Sequence, residues 1–158
     1  MTALELVRIN LHVAHDAFLQ TTADVTQEMA DWVPPGVALP IGERYAHAVA
    51  AEDWLVQEIA KGGTPWLATT WTDKAGFNVA DFGFTLSNEQ RRAFRVADLA
   101  QLREFEKAVF AASEEYLNSL DESAMDRIFD MSFIGIPQVP APAWWSAFII
   151  GHLHDLMG

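Results

Sequence analysis

Histidines are the residues of this chain with the most distinctive chemistry, and all five fall on predicted helices. Imidazole is the commonest nitrogen ligand for zinc, nickel and iron, and bundle metal sites are assembled from facing helices. His12 and His15, three residues apart, could meet one ion together. His152 would need a second imidazole one helical turn later for a two-point chelate, but that position holds Leu156, whose isobutyl group cannot donate to a metal. His154 does not replace it, because two residues rotate a side chain by about 200°, onto the opposite face.

Two segments of the chain resemble the helix signatures of the DinB-like superfamily. The runs from Trp32 to Gly36 and from Leu39 to Asp53 look like the second-helix signature of that family. The closing run from Gly151 to Gly158 is similar to the last-helix signature, in which His-x-x-x-His is followed by a glycine. The order and spacing of the residues agree with this family over most of the chain, including residues 98–120.

This resemblance implies a four-helix bundle with an up-down-down-up arrangement, often a homodimer. It also implies a divalent metal such as zinc or nickel, held by one histidine of the second helix and two of the last. Some members of the family are thiol-dependent transferases or isomerases that act with mycothiol or bacillithiol. Many have no known activity.

Carried over to this chain, the implied metal ligands are His47 and His152, and the third ligand position is Leu156. The side chains that could substitute are Glu52, His15 and His12. Two imidazoles hold an ion loosely compared with three protein ligands, because water competes for each missing position. We therefore predict a degenerate site in which metal is weakly bound or absent.

Tryptophans flank both histidines in sequence and could line an apolar pocket for a small molecule. Trp54 follows His47 on the second helix. Trp145 shares a helical face with Ile149, His152 and Leu156 if the last helix is a regular α-helix. Core filling is the alternative interpretation of these aromatic side chains.

Two functions from different classes follow from these residues. The first is a small-ligand-binding or scaffold protein whose former metal site has become an apolar pocket. The alternative is a divalent-metal-dependent thiol transferase or hydrolase, in which the ion activates water or a low-molecular-weight thiol. A third possibility is subunit association through a second apolar stripe on the first helix, formed by Leu6, Ile9 and Val13.

Four principal helices must position these residues, and we predict an all-α four-helix bundle. Apolar spacing predicts the first helix over about Ala3–Trp32 and the second over about Gly42–Lys61. The stripe of the first is Leu4, Val7, Leu11, Ala14, Phe18, Val25, Met29 and Trp32. A long aromatic loop is predicted over Thr64–Leu86, including Phe82, Gly83 and Phe84.

Capping patterns predict the remaining elements. Ser87 opens a short helix with a capping box, and Asp98 starts a strong third helix that runs to Leu120. Residues 121–139 are predicted to be irregular with at most one helical turn. Pro140 and Pro142 suit the entrance of the last helix, because a proline in the first turn loses no intrahelical bond.

Composition limits the remaining possibilities. A chain of 158 residues fits a single domain, 1–158, and the absence of cysteine excludes disulfides and thiolate nucleophiles. With 10 Lys and Arg against 22 Asp and Glu, the net charge of −12 disfavours nucleic-acid and anionic-membrane partners. The N-terminus lacks the basic region of a signal peptide and no apolar run reaches membrane-spanning length, so we expect a cytoplasmic protein.

Overall fold

The computed structural model describes residues 1–77 and 86–157, and it is mostly helical with one small sheet. The α-helices are α1 (Ala3–Thr22), α2 (Gln27–Asp31), α3 (Ile41–Trp54), α4 (Asn88–Ala93), α5 (Leu99–Ser119), α6 (Ala141–Trp144) and α7 (Gly151–Met157). Two strands, β1 (Ile128–Met131) and β2 (Ile136–Pro140), form an antiparallel pair. None of the helices in the described ranges is long and apolar enough to cross a membrane.

The single first helix predicted from Ala3 to Trp32 is wrong, because α1 ends at Thr22 and a separate short helix, α2, follows. The hydroxyl of Thr26 accepts a hydrogen bond from the amide of Met29 and so starts α2 afresh. Met29 and Trp32, placed by the sequence on the buried stripe, are 44% and 58% exposed. The interruption leaves backbone carbonyls without helical partners, and Arg103 donates to those of Thr22, Ala23 and Val25.

The chain divides into two compact units, of which the first comprises Met1–Thr21 and Phe110–Gly158. In this unit the segment predicted to be irregular forms the β1–β2 hairpin, so the all-α prediction missed a small sheet. Phe129, Met131 and Val139 are its buried side chains. Trp144 covers them, stacking on Phe129 at 4.3 Å between ring centroids and donating its indole N–H to the Met131 sulfur.

The second unit comprises Thr22–Val109. Here α2 and α3 approach so closely that a Cβ atom on Gly42 would lie 2.7 Å from the carbonyl oxygen of Ala30, which requires glycine at that position. The predicted capping box at Ser87 is present and begins α4. Asp98 accepts from the amides of Ala100 and Gln101 and starts α5 as predicted.

The described part of the predicted aromatic loop also belongs to this unit. It contains a 3₁₀ turn over Trp66–Ala68. Trp71 and Phe77 both contact Phe105 of α5, with ring centroids 5.3 and 5.9 Å away. The predicted loop residues Phe82, Gly83 and Phe84 lie outside the described residues.

π-helical turns interrupt the two helices that carry the family signatures. The predicted second helix is α3 followed by a π-helical turn over Leu55–Ala60. The last helix begins at Ala141 with proline in its first turn, passes through a π-helical turn over Trp145–Ile150 and continues as α7. π-helical turns contain hydrogen bonds from residue i+5 to residue i and occur frequently at functional sites.

Candidate functional site

His152 and Leu156 lie one turn apart on α7, and both side chains are half-buried. His154, between them in sequence, is exposed, as expected for a residue on another helical face. The spacing that would suit a two-histidine chelate is therefore present in the folded helix. Its second position is held by a hydrocarbon side chain.

Trp145 and Ile149 occupy a different position from the one predicted for a regular helix. Both are fully buried, and the next buried residue along this side is Leu153 rather than His152. Trp145 lies against Trp144 edge to face and against Tyr116, with centroids 5.3 and 6.3 Å away. These contacts are those of core residues. The π-helical turn places His152 on a different side of the helix from Trp145.

His12 and His15 of α1 converge on one carboxylate of α5, that of Glu114. The Nδ1 atoms of the two rings lie 3.2 and 2.9 Å from Glu114 Oε1. His15 is 2% exposed and stacks on Phe110 with 3.9 Å between ring centroids. His12 is exposed, and its Nε2 lies 3.5 Å from Asp16 Oδ2. The first unit thus contains a cluster of two imidazoles with a carboxylate at its centre.

Glu114 is held in its ionised form by this cluster. Partial burial raises the pKa of the carboxyl group, but hydrogen bonds and charge from His15 and His12 outweigh it, so the pKa of Glu114 is lowered. In the sequence Glu114 stands beside Glu115, and two adjacent residues of a helix point to different faces. The signal that could have revealed the cluster was the pair His12 and His15, three residues apart on one helix, together with a carboxylate on another helix.

The remaining predicted site residues lie on α3, in the second unit. His47 and Trp54 are half-buried, whereas Glu52 is 2% exposed. Asp53, next to Glu52, is also buried and accepts hydrogen bonds from the amides of Trp66 and Leu67 at 3.0 and 2.9 Å. Burial raises the pKa of Asp53 to about 6, against the lowering effect of those two amides.

A buried tyrosine–glutamate pair in the second unit was not predicted. The hydroxyl of Tyr45 donates to Glu106 Oε2 at 2.6 Å. Burial, and then the negative charge of Glu106, raise the pKa of Tyr45, which keeps the phenol protonated as the donor. Glu106 lies beside Phe105 in an otherwise apolar stripe, so its sequence position carried no signal of this role.

A comparison with known protein families shows to which family the chain is related. The sequence model of the DinB superfamily matches residues 10–155. The chain belongs to the DinB superfamily. This match spans the whole second-helix signature and the last-helix signature as far as Asp155, and Leu156 lies directly after its end.

One solved structure similar to this DinB-superfamily chain is a conserved protein from Enterococcus faecalis. It is 21% identical in sequence, and the match covers 100% of this chain and 92% of that chain with a TM-score of 0.80. The likeness establishes a shared fold. No curated protein matches the chain significantly.

The divalent metal that the DinB resemblance implies does not fit the residues present. Within residues 1–77 and 86–157, no group of three or more His, Asp or Glu side chains is arranged to hold a metal ion. Leu156 supplies no donor atom, and the rings of His12 and His15 are directed at Glu114. No reaction step through a metal is derived from this arrangement.

Proposed function

We propose that this DinB-superfamily chain is a small-ligand-binding or scaffold protein with a degenerate metal site, organised as a four-helix bundle. The observation that carries the proposal is Leu156, which stands one turn after His152 where the family signature has its closing histidine. Removing one of three protein ligands leaves a coordination position to water and weakens metal binding. His152 of the first unit and His47 of the second each keep an imidazole that can form hydrogen bonds.

The substitutes named from the sequence support this proposal through their present contacts. His15 is stacked on Phe110 and bonded to Glu114, so metal binding would break an existing packing arrangement. Glu52 is 2% exposed, so an ion would have to lose its hydration shell to reach this carboxylate, which is costly. The exposed imidazole of His12 is shared between Glu114 and Asp16.

The test is to restore the missing ligand. We expect Leu156→His to bind Ni²⁺ or Zn²⁺ at least several-fold more tightly than the wild-type chain in calorimetric titrations, since two imidazoles spaced i, i+4 form a chelate. The double variant Leu156→His with His152→Ala is the control and should lose this gain. All proteins must be prepared without a histidine tag.

The alternative, a metal-dependent thiol transferase or hydrolase, makes the opposite prediction for the wild-type chain. Metal analysis of the purified protein would then show stoichiometric metal that His47→Ala abolishes. That result, or a Leu156→His variant that gains no metal affinity, would overturn the degenerate-site proposal.

A further inference from the structure

A groove of about 320 Å³ lies between α1 and α5, within the first compact unit of the chain. Polar side chains from both helices line it, Arg8 and His12 from α1 and Glu114 and Asn118 from α5. Buried leucine side chains of the two helices close its bottom. Small-molecule sites have volumes of roughly 300–1,000 Å³, so a groove at the lower end of this range suits a small ligand.

The guanidinium of Arg8 is fixed on its wall of the groove by hydrogen bonds. Its Nε and Nη2 donate to carbonyls of Leu117, Asn118 and Leu120 at distances from 2.7 to 3.3 Å. Its Nη1 has no hydrogen-bond partner among the described residues. The N–H groups of Nη1 can therefore donate to an anionic group of a ligand, and such charge-assisted hydrogen bonds are strong.

The carboxylate of Glu114 supplies the opposite charge. Its Oε1 is bonded to the imidazoles of His12 and His15. Its Oε2 has no hydrogen-bond partner in the described part of the chain, and the side chain is 34% exposed. Because the pKa of Glu114 is lowered, the group is ionised at neutral pH and can accept a hydrogen bond from an ammonium group.

Among the described residues, Arg8 and Glu114 line one groove with opposite charges, yet they form no ion pair with each other. Arg8 lies against the end of α5 at Asn118. Glu114 lies one turn earlier on α5, against His12. The two charges are therefore about one helical turn apart, and four residues of an α-helix rise by about 6 Å. An ammonium and a carboxylate on one carbon atom, each with a hydrogen bond of about 2.9 Å, span roughly such a distance.

Ligands with a single charge suit this groove poorly. A simple anion is repelled by Glu114 and by the net charge of −12. A simple amine is repelled by Arg8 at the other end of the groove. A zwitterion can satisfy both ends at once.

We infer that the groove between α1 and α5 binds a free α-amino acid, with its ammonium group on Glu114 Oε2 and its carboxylate on Arg8 Nη1 and the side-chain amide of Asn118. An apolar side chain of this ligand would contact Ile9, which is 53% exposed at the edge of the groove. The inference goes beyond the proposed function, because none of these contacts involves the degenerate metal site.

The test is a titration of the wild-type chain with L-leucine, followed by NMR through the chemical shifts of the backbone amides. We expect saturable shifts in residues 8–12 and 114–118 at millimolar concentration. Two analogues of similar shape lack one charged group each, since isocaproate has no ammonium group and isoamylamine has no carboxylate. Each analogue should bind at least several-fold more weakly than L-leucine, because one end of the groove stays unpaired.

Variants of the groove check which side chains carry the binding. Glu114→Gln should weaken L-leucine binding several-fold, because the amide keeps the shape of the carboxylate but not its charge. Glu115→Gln, at the exposed neighbouring position, is the matched control and should leave the binding unchanged. Asn118→Ala, at an exposed position where little packing is lost, should also weaken the binding, which keeps the inference testable if Glu114→Gln fails to fold.

Three results would overturn the inference: no saturable shift in the groove with L-leucine, equal binding of either analogue, or an equal loss in Glu114→Gln and Glu115→Gln. The degenerate-site proposal is tested separately by the metal affinity of Leu156→His, a position that does not line the groove. Failure of one proposal therefore does not affect the other.

Discussion

His15 and Glu114 connect α1 to α5 through a 2.9 Å contact between the imidazole Nδ1 and the carboxylate Oε1. The ring is buried against Phe110, whereas the carboxylate is 34% exposed. The contact therefore joins a buried ring to a group that still reaches solvent. Its strength depends on the ionisation of the carboxylate.

Glu114→Gln should lower the free energy of unfolding at pH 7 by about 1 kcal/mol, because a charged hydrogen bond is replaced by a neutral one at a partly screened site. The pKa of Glu114 is lowered in the folded chain, so its contribution is present above the unfolded-state pKa and is lost as pH falls through the folded-state pKa. Urea denaturation from neutral to acidic pH measures this dependence. The difference between wild type and variant should shrink in acid. Glu115→Gln, at the exposed neighbouring position, should change little, and an equal loss in both variants would contradict the prediction.

Asp53 should give the opposite pH dependence. Its folded-state pKa of about 6 lies above the ordinary aspartate value of 3.8, so its contribution to stability is present below the lower value and is lost as pH rises through the upper one. The full loss amounts to roughly 3 kcal/mol. Asp53→Asn cannot ionise and should remove this slope in denaturation experiments across the same range. Asp73→Asn, at an exposed position, should keep it, and an unchanged slope in Asp53→Asn would refute the assignment.

Arg91→Ala should destabilise the chain by about 2 kcal/mol, because it leaves the buried carboxylate of Glu43 without its charged partner. The Arg91 Nε atom lies 2.7 Å from Glu43 Oε1, and the Glu43 side chain is 3% exposed. Arg95→Ala is the matched control, since among the described residues the Arg95 guanidinium donates only to the nearby carbonyls of Arg92 and Phe94, and its effect should be within about 0.5 kcal/mol. Thermal denaturation measures both. Adding Glu43→Gln to Arg91→Ala should recover part of the loss, and no recovery would mean that the ion pair is not the cause.

We further propose that the chain forms a homodimer through the outer face of α1. Leu6, Ile9 and Val13 are 44%, 53% and 54% exposed and follow one another at helical spacing. Ile9→Asp should convert a dimer to a monomer in sedimentation velocity experiments, because it introduces a charge into an apolar contact. Asn10→Asp adds the same charge at the next, polar position and should leave the dimer intact. A wild-type chain that sediments as a monomer at micromolar concentration would exclude this interface.

Local capping chemistry explains why several boundaries could be predicted. Ser87 and Asp98 each satisfy amides at a helix start through their own side chains, and proline in the first turn of the last helix loses no bond there. These effects depend on residues within one turn of each other. A sequence displays them directly.

Features that depend on distant residues could not be predicted in the same way. β2 contains Pro137 and Pro140, which argue against a strand, so the hairpin becomes evident only through its pairing with β1 and the cover of Trp144. The convergence of two histidines on Glu114 requires knowing which faces of α1 and α5 meet. In the sequence, the π-helical turn before α7 is marked by Gly151 alone. A glycine inside a helical pattern has several explanations.

The prolines of β2 also affect how the hairpin behaves at high protein concentration. The turn between the strands presents Phe133 and Ile134, both largely exposed, next to a short strand. Such a combination normally invites other chains to add to the strand and grow into fibres. Because Pro137 and Pro140 have no N–H group, β2 lacks two of the donors that an incoming strand would need. Pro137 and Pro140, which argue against a strand in the sequence, thus protect the hairpin from aggregation.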